Sequence, residues 1–436
     1  MEKILPEGWE WRTLEEVTDI LDNLRKPVSS DERAKRIGNV PYYGATGQAG
    51  WIDDYLFDEE LILLGEDGAP FFDKTKNVAY LIKDKTWVNN HAHVLRGKAN
   101  ILENIILLHY LNQFNYTDFV GGTTRLKLTQ GDLKRIPIPI PPLAEQQRIA
   151  ARLDEMMEAV ENAKKRIGQI PEKMKQFRQA VLAQAVSGSL TEDWRDENPD
   201  VESAEELLER INEFQEKTNK DFNKIFNDST VEEPHIIPDN WEFVNLDKLC
   251  KGFKYGTSSK SDDNGDVPVL RMGNLQNGKI DWTDLKFTSE ISEIKKYKLV
   301  HDDILFNRTN SPELVGKTSI FKGENEAIYA GYLIKIDLLK DFSISDHINI
   351  TLNSLFAKKW CSEVKTDGVS QSNINAQKLA KYPIPLPPLA EQQEIVRRVE
   401  SLFEYADGIE AKYAALKEKM EQLPQAILAK AFRGEI

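Results

Sequence analysis

"PPLAEQQ" occupies residues 141–147, and the same seven letters return at residues 387–393. The identity sits inside a longer likeness, IPIPIPPLAEQQRIAARLDEM against YPIPLPPLAEQQEIVRRVESL. The offset of 246 residues persists downstream, where MKQFRQAVLAQAVSGSL from Met174 answers MEQLPQAILAKAFRGEI from Met420. Upstream, LPEGWEWRTLEEV at 5–17 answers IPDNWEFVNLDKL at 237–249 at an offset of 232, so the second half carries 14 more residues between its frames. Such a pattern marks an internal duplication. Each half runs from a Trp-bearing turn through a long variable segment to the proline phrase and a long helix. Similar frames around dissimilar fillings imply one scaffold carrying two different readers.

Working outward from the phrase, Pro141-Pro142 suits a helix N-terminus. Apolar residues then recur in steps of four and three at Ile149, Leu153, Met156, Val160, Ala163, Ile167, Ile170, Met174, Phe177 and Val181. Adding the offset gives Ile395, Val399, Leu402, Ala406, Ile409, Tyr413, Leu416, Met420, Leu423 and Ile427, every one apolar. Heptads sustained twice predict two long helices that pair as an antiparallel coiled coil. Pro171 and Pro424 fall at different points of the repeat and are expected to kink or break each helix. The fillings read as mixed α and β. VPYYGATGQAGWIDDYLF and VPVLRMGNLQNGKIDWTDL share a Val-Pro, a short apolar run, a Gly-bearing turn and a second strand-like run. ELILLG and DILFNRT read as buried strands, and NILENIILLHYLNQF and DHINITLNSLFAKKW as helices. The fold class expected is α/β (α+β) with a pseudo-two-fold internal repeat.

At 436 residues and 40% hydrophobic content the chain is long enough for two or three domains with real cores. It has no apolar run of membrane-spanning length and no signal-peptide pattern at MEKILPEGWEW. Two cysteines cannot build a disulfide framework, which suits a cytoplasmic protein. The net charge of −14 argues at first against a nucleic-acid partner. Its uneven distribution removes that objection. Residues 141–240 hold 13 basic and 22 acidic residues, mostly in TEDWRDENPDVESAEELLERINEFQEK, which reads as a solvated linker and helix. Residues 1–140 carry a net −4 and residues 241–380 a net zero, leaving room for local basic faces.

The chemistry of an enzyme is not visible. VGKTS at 315–319 lacks the glycine a phosphate-binding loop needs, since position 311 is Ser. No Gly-rich turn opens a helix for a dinucleotide or adenosine cofactor, the six His show no zinc spacing, and no nucleophile–base set can be assembled. Acidic pairs such as Glu66-Asp67 and Asp302-Asp303 read as strand ends. No cofactor and no metal are expected.

The doubled proline phrase, with the helix closings QAVLAQAVSGSLTEDWR and QAILAKAFRGEI, resembles the specificity subunit of type I restriction-modification enzymes. The resemblance covers essentially the whole chain. It implies a non-catalytic subunit with two target recognition domains, at 1–140 and 236–386. Conserved helical spacers follow at 141–190 and 387–436, with the acidic linker and helix at 191–235. It also implies the partners: double-stranded DNA with a bipartite, asymmetric target, two adenine-methylating modification subunits, and restriction subunits. The alternative is a methyltransferase or nuclease whose active site is not recognisable. One departure stands out, because the first helix runs on into TEDWRDENPD while the second stops at Ile436, which suggests a shortened C-terminal tail.

Base reading needs polar and basic side chains on turns. In the first domain these are Arg25, Lys26, Tyr43, Gly44, Thr46, Asn89, Asn90, Thr123, Thr124 and Arg125. In the second they are Lys254, Thr257, Ser258, Lys260, Arg271, Asn274, Gln276, Arg308, Asn310, Gln371 and Asn373.

Overall fold

The computed structural model describes residues 5–123, 125–218, 231, 233–369 and 371–436, so Thr124 lies outside the described residues. The chain divides into two compact units, residues 1–170 with 411–436, and residues 171–410.

In the first unit, the Glu10–Thr13 strand that follows Trp9 pairs antiparallel with Pro137–Ile140, the strand leading into the proline phrase. Proline removes ladder donors, so such a strand suits a short two-stranded ribbon. In the second unit Glu242–Asn245, following Trp241, pairs in the same way with Pro383–Leu386. Between these frames the two larger sheets of each unit follow one plan, with smaller ladders beside them. The strands Leu61–Gly65 and Asp303–Asn307 are buried throughout and lie between antiparallel neighbours. The two Val-Pro strands, Val40–Gly44 and Val267–Leu270, each take a parallel partner, at Lys85–Val88 and Ile328–Tyr329. The helix Asn104–Gln113 packs into the first core, and Ser345–Leu352 into the second. The second expected helix is split, since Ser354 caps a new one at Leu355–Val364.

The repeated phrase is a clasp. Glu145 Oε2 accepts the Trp9 indole N–H at 3.1 Å, and Glu391 Oε2 that of Trp241 at 2.8 Å. Gln146 Oε1 accepts the Glu103 backbone N–H at 3.0 Å, and Gln392 Oε1 that of Ile344 at 2.9 Å, at the N-caps of the two core helices. Their Nε2 groups return to the Pro141 and Pro387 carbonyls at 2.9 and 3.0 Å. One Glu-Gln pair thus fastens the opening Trp, the core helix and the long helix together. Buried polar groups must be paired, so both letters are needed at once.

The long helices bury much of their stripes, although Leu416 and Leu423 stay exposed. Leu143–Ile167 ends at Gly168, and Pro171 falls in the first turn of the next helix, Ile170–Ser187, where no N–H is missed. Pro424 sits inside the unbroken Leu389–Ala431 helix, so the expected break occurs in one repeat only. Within the second unit Val181, Leu182 and Ala185 pack with Ile395 and Val399. Arg178 pairs with Asp407 and Glu410, and Arg398 with Asp193, so the helices run antiparallel. Within the first, Ile149, Leu153 and Val160 share a core with Ile427, Leu428 and Ala431, and Arg148 donates to the Ile436 carbonyl at 3.0 Å. Gly188 and Gly434 stand 246 residues apart at left-handed φ of 78° and 71°. A Cβ at either would meet a proline Cγ, of Pro238 or Pro6, at 2.4 Å. Only glycine fits that turn.

The acidic segment is not a solvated linker throughout. Its helix Ala204–Thr218 buries Leu207 and Ile211 in the second core, and Thr191 and Arg195 reach the buried Glu391 at 2.7 and 2.6 Å.

The second core contains His347, fully buried with neither ring nitrogen hydrogen-bonded among the described residues. Burial pushes its pKa down to about 3. An unfolded imidazole titrates near 6.5. Unfolding therefore takes up a proton between those values, and stability falls as pH drops through that window. The loss at pH 5 relative to pH 7.5 is expected to be about 2 kcal/mol from this group alone. His347→Leu should flatten that part of the urea-unfolding profile; a variant as acid-sensitive as the parent would place the effect on other groups.

Candidate nucleic-acid interface

The turns singled out in the sequence converge within each unit. In the first, the Asn89 N–H donates to the Tyr43 carbonyl at 3.1 Å, and the Glu66 N–H to that of His91 at 2.8 Å. The Leu128 N–H donates to the Glu66 carbonyl at 2.7 Å. Four strand ends and the short ladder of Val120–Gly121 with Lys127–Leu128 are thereby stitched into one rim. The second unit repeats the stitches. The Ala330 N–H donates to Leu270 at 2.9 Å, Arg308 N–H to Tyr332 at 3.0 Å, and Ile374 N–H to the Arg308 carbonyl at 2.9 Å. These bonds make Glu66 and Arg308 occupants of one backbone address. The same holds for Asn89 and Ala330, His91 and Tyr332, and Lys127 and Asn373.

On the first rim, Thr46, Asn90, Thr123, Arg125 and Lys26 are exposed. Arg125 pairs with Asp67 at 2.8 Å, and Asp67 also accepts from His91 Nδ1 at 2.7 Å. Tyr43 is half-buried beside Tyr80, whose hydroxyl donates to the Gly44 carbonyl. Gly44 is buried, and a Cβ there would stand 3.2 Å from the Asn89 amide nitrogen.

Arg25, expected among the DNA-contacting residues, is not presented to the rim. Its side chain is turned inward to Glu66 at 2.8 Å, Asp22 at 3.4 Å and the Ala92 carbonyl at 2.6 Å. Asp22, Glu66 and His93 come within metal-binding reach of one another, with Arg25 already paired to both carboxylates. Burial pulls the Asp22 pKa upward, but hydrogen bonds from His93 and the Val94 N–H, with the Arg25 charge, hold it below the usual carboxylate value. Asn89 is also structural, since it is buried and its Oδ1 accepts the His91 N–H at 2.8 Å.

On the second rim, Arg308 lies over the Tyr255 ring at 4.7 Å and touches the Gly331 carbonyl and Asn373 Oδ1 at 3.5 Å each. Asn373 donates to Thr309 at 2.8 Å, and Asn310 faces Ser372 across a short ladder. Gln371, Ser258 and Lys260 are exposed. Lys254 is exposed and paired with Asp337 at 2.7 Å, and Arg271 is paired with Asp284 at 3.1 Å. Three residues turn inward against expectation. Thr257 is buried on Glu293, the buried Asn274 amide serves the Asp281 and Asp284 carbonyls at 3.0 Å, and Gln276 closes its own turn on Gly273 at 2.9 Å. These are scaffold contacts.

Asp67, His91, Thr309, Tyr255 and Tyr332 stand on the two rims beside the expected residues, and the sequence alone does not single them out. NNHAH carries a signal for His91, but Tyr332 lies in an apolar run whose only turn letter is Gly331.

The family model described as "Type I restriction modification DNA specificity domain" matches residues 6–172 and 238–418. The EcoKI specificity subunit of Escherichia coli (strain K12) is 34% identical over 332 residues, covering 75% of this chain and 63% of that protein. A Haemophilus influenzae protein, the putative type I restriction enzyme specificity subunit S.HindORF215P, is 29% identical over 91% of this chain and 88% of its own length. The chain thus spans less than two thirds of the EcoKI subunit's length. Among solved structures, the crystal structure of the HsdS subunit from Thermoanaerobacter tengcongensis matches with a TM-score of 0.60 and 19% identity, over 99% of this chain and 98% of that one. That likeness supports a shared fold. With both halves matched by the same family model, the chain belongs to the type I restriction modification DNA specificity family.

Proposed function

We propose that the chain is the non-catalytic DNA-recognition subunit of a type I restriction-modification system. Each unit binds one half of a bipartite, asymmetric target in double-stranded DNA. The long helices fix the spacer between half-sites and dock two methyltransferase subunits, which restriction subunits join in the cytoplasm. Among the described residues no helix is long and apolar enough to cross a membrane. The observation that carries the reading is the rim itself. Two sets of turns are held by the same backbone hydrogen bonds and differ in side chain at the same addresses, as two readers of different sequences require.

The direct test is methylation mapping of DNA from cells that express the chain with its modification subunits. A bipartite methylated motif is expected, and none when the chain is omitted. Methyl transfer by the purified chain alone would overturn the reading in favour of an enzyme. The spacer role has its own test. Four residues inserted inside each long helix, after Lys175 and after Glu410, lengthen each by about 6 Å. Duplex DNA advances about 3.4 Å per base pair. The mapped spacer should grow by roughly 1–2 base pairs with both half-sites unchanged. An unchanged spacer would remove the helices as its ruler.

A further inference from the structure

The backbone addresses of the two rims can be matched further. Asp67 bridges to Lys127 as Thr309 pairs with Asn373, which makes Asp67 and Thr309 counterparts. The offset of 246 that relates Leu128 to Ile374 relates Arg125 to Gln371. His91 and Tyr332 already share an address. Three positions therefore form one tripod on each rim: Asp67, His91 and Arg125 in the first unit, and Thr309, Tyr332 and Gln371 in the second.

The first tripod is a linked polar set whose tips stay open to solvent. His91 Nδ1 stands 2.7 Å from Asp67 Oδ1, and Arg125 holds the same oxygen at 2.8 Å. The Asp67 side chain is 19% exposed, against 41% for His91 and 62% for Arg125. The carboxylate is thus the inner anchor and the ring and guanidinium are the outer groups. In its neutral form an imidazole that donates Nδ1–H to a carboxylate presents Nε2 as an acceptor. In a DNA groove that acceptor selects a base offering an exocyclic amine, adenine N6 or cytosine N4. The second tripod has none of this charge, and Tyr332 and Gln371 are its exposed members.

We propose that these three matched positions determine one base pair of each half-site, with His91 reading an amine-bearing base in the first half-site and Tyr332 standing at the corresponding base in the second. The inference rests on the DNA-recognition reading above.

The test transplants one tripod onto the other rim. The variant Thr309→Asp, Tyr332→His, Gln371→Arg is expressed with the modification subunits, and methylated motifs are mapped beside those of the parent. The expected result is a second half-site altered at one base pair, towards an amine-bearing base at that strand position, by at least about fivefold. The first half-site should be untouched. Unchanged preference in both half-sites would overturn the inference, as would equal weakening at every sequence. If the triple variant melts below the parent, His91→Ala in the first unit decides the matter by relaxing one base pair of the first half-site or none. Failure of the parent itself to mark a bipartite motif would instead count against DNA recognition.

Discussion

Removing the carboxylate in Glu391→Ala should destabilise the second unit by about 3–5 kcal/mol, whereas Glu145→Ala should cost the first only about 1 kcal/mol. The two glutamates occupy the same place in the same repeated phrase, and what differs is their company. Glu391 is fully buried. It accepts from the Trp241 indole, the Thr191 hydroxyl and Arg195, whose side chain is itself only 17% exposed. Deleting the carboxylate strands a guanidinium, a hydroxyl and an indole N–H away from water, and a buried charge left alone is the costly case. Glu145 keeps the indole partner, but its other contact is the exposed Arg148 three residues on at 3.2 Å, and its side chain is 28% exposed. Water can replace what it loses. Urea unfolding of the parent and the two variants, followed by the fluorescence of Trp241 or Trp9, measures the difference. Equal losses in the two units would show that the Thr191–Arg195 turn adds nothing to the clasp.

That asymmetry shows where reading the sequence stops. The duplication is legible because identical letters at a fixed offset need no structure to be seen, and the apolar stripe because helical spacing repeats along the chain. Periodicity carries no information about the polar residues off the stripe. Gln146 and Gln392 are fully buried on the long helices, yet only their hydrogen bonds to Glu103 and Ile344 explain them. Those partners stand 43 and 48 residues away. The rim turns are legible as turns because Gly and Asn mark them, and backbone hydrogen bonds join them within each unit. Which side chain faces outward is not legible. Arg25 and Arg308 both follow turn letters, but Arg25 meets Glu66, 41 residues on, and is consumed by it. At the address of Glu66 the second unit has Arg308 itself, so the acid that would have consumed it is missing. The acidic stretch 191–218 departs from expectation for a related reason. Composition marks it as solvated, while Leu207, Ile211 and Arg195 anchor it within the second unit.

The strongest consequence for specificity falls on Arg308. A guanidinium has five donors in a rigid fork. Here two of its N–H groups reach acceptors only at 3.5 Å, the limit of a hydrogen bond, and the buried Nε has no partner among the described residues. The side chain is held in place by the Tyr255 ring at 4.7 Å and by its own backbone, bonded on both sides to the rim. It is positioned and underpaired, the state expected of a group that completes its hydrogen bonds on a ligand. A bidentate contact to guanine O6 and N7 would satisfy the fork and is worth about 1–3 kcal/mol of discrimination. Arg308→Ala, assembled with the modification subunits, should therefore lose roughly 5- to 150-fold in preference at one base pair of the second half-site and leave the first half-site intact. Arg308→Lys keeps the charge without the fork and should recover affinity more than it recovers preference. Competition binding against oligonucleotides varied one base pair at a time separates the outcomes. A loss equal at every sequence would make Arg308 a phosphate contact, and unchanged binding would remove it from the interface, leaving the stacked Tyr255 pair as a purely structural contact.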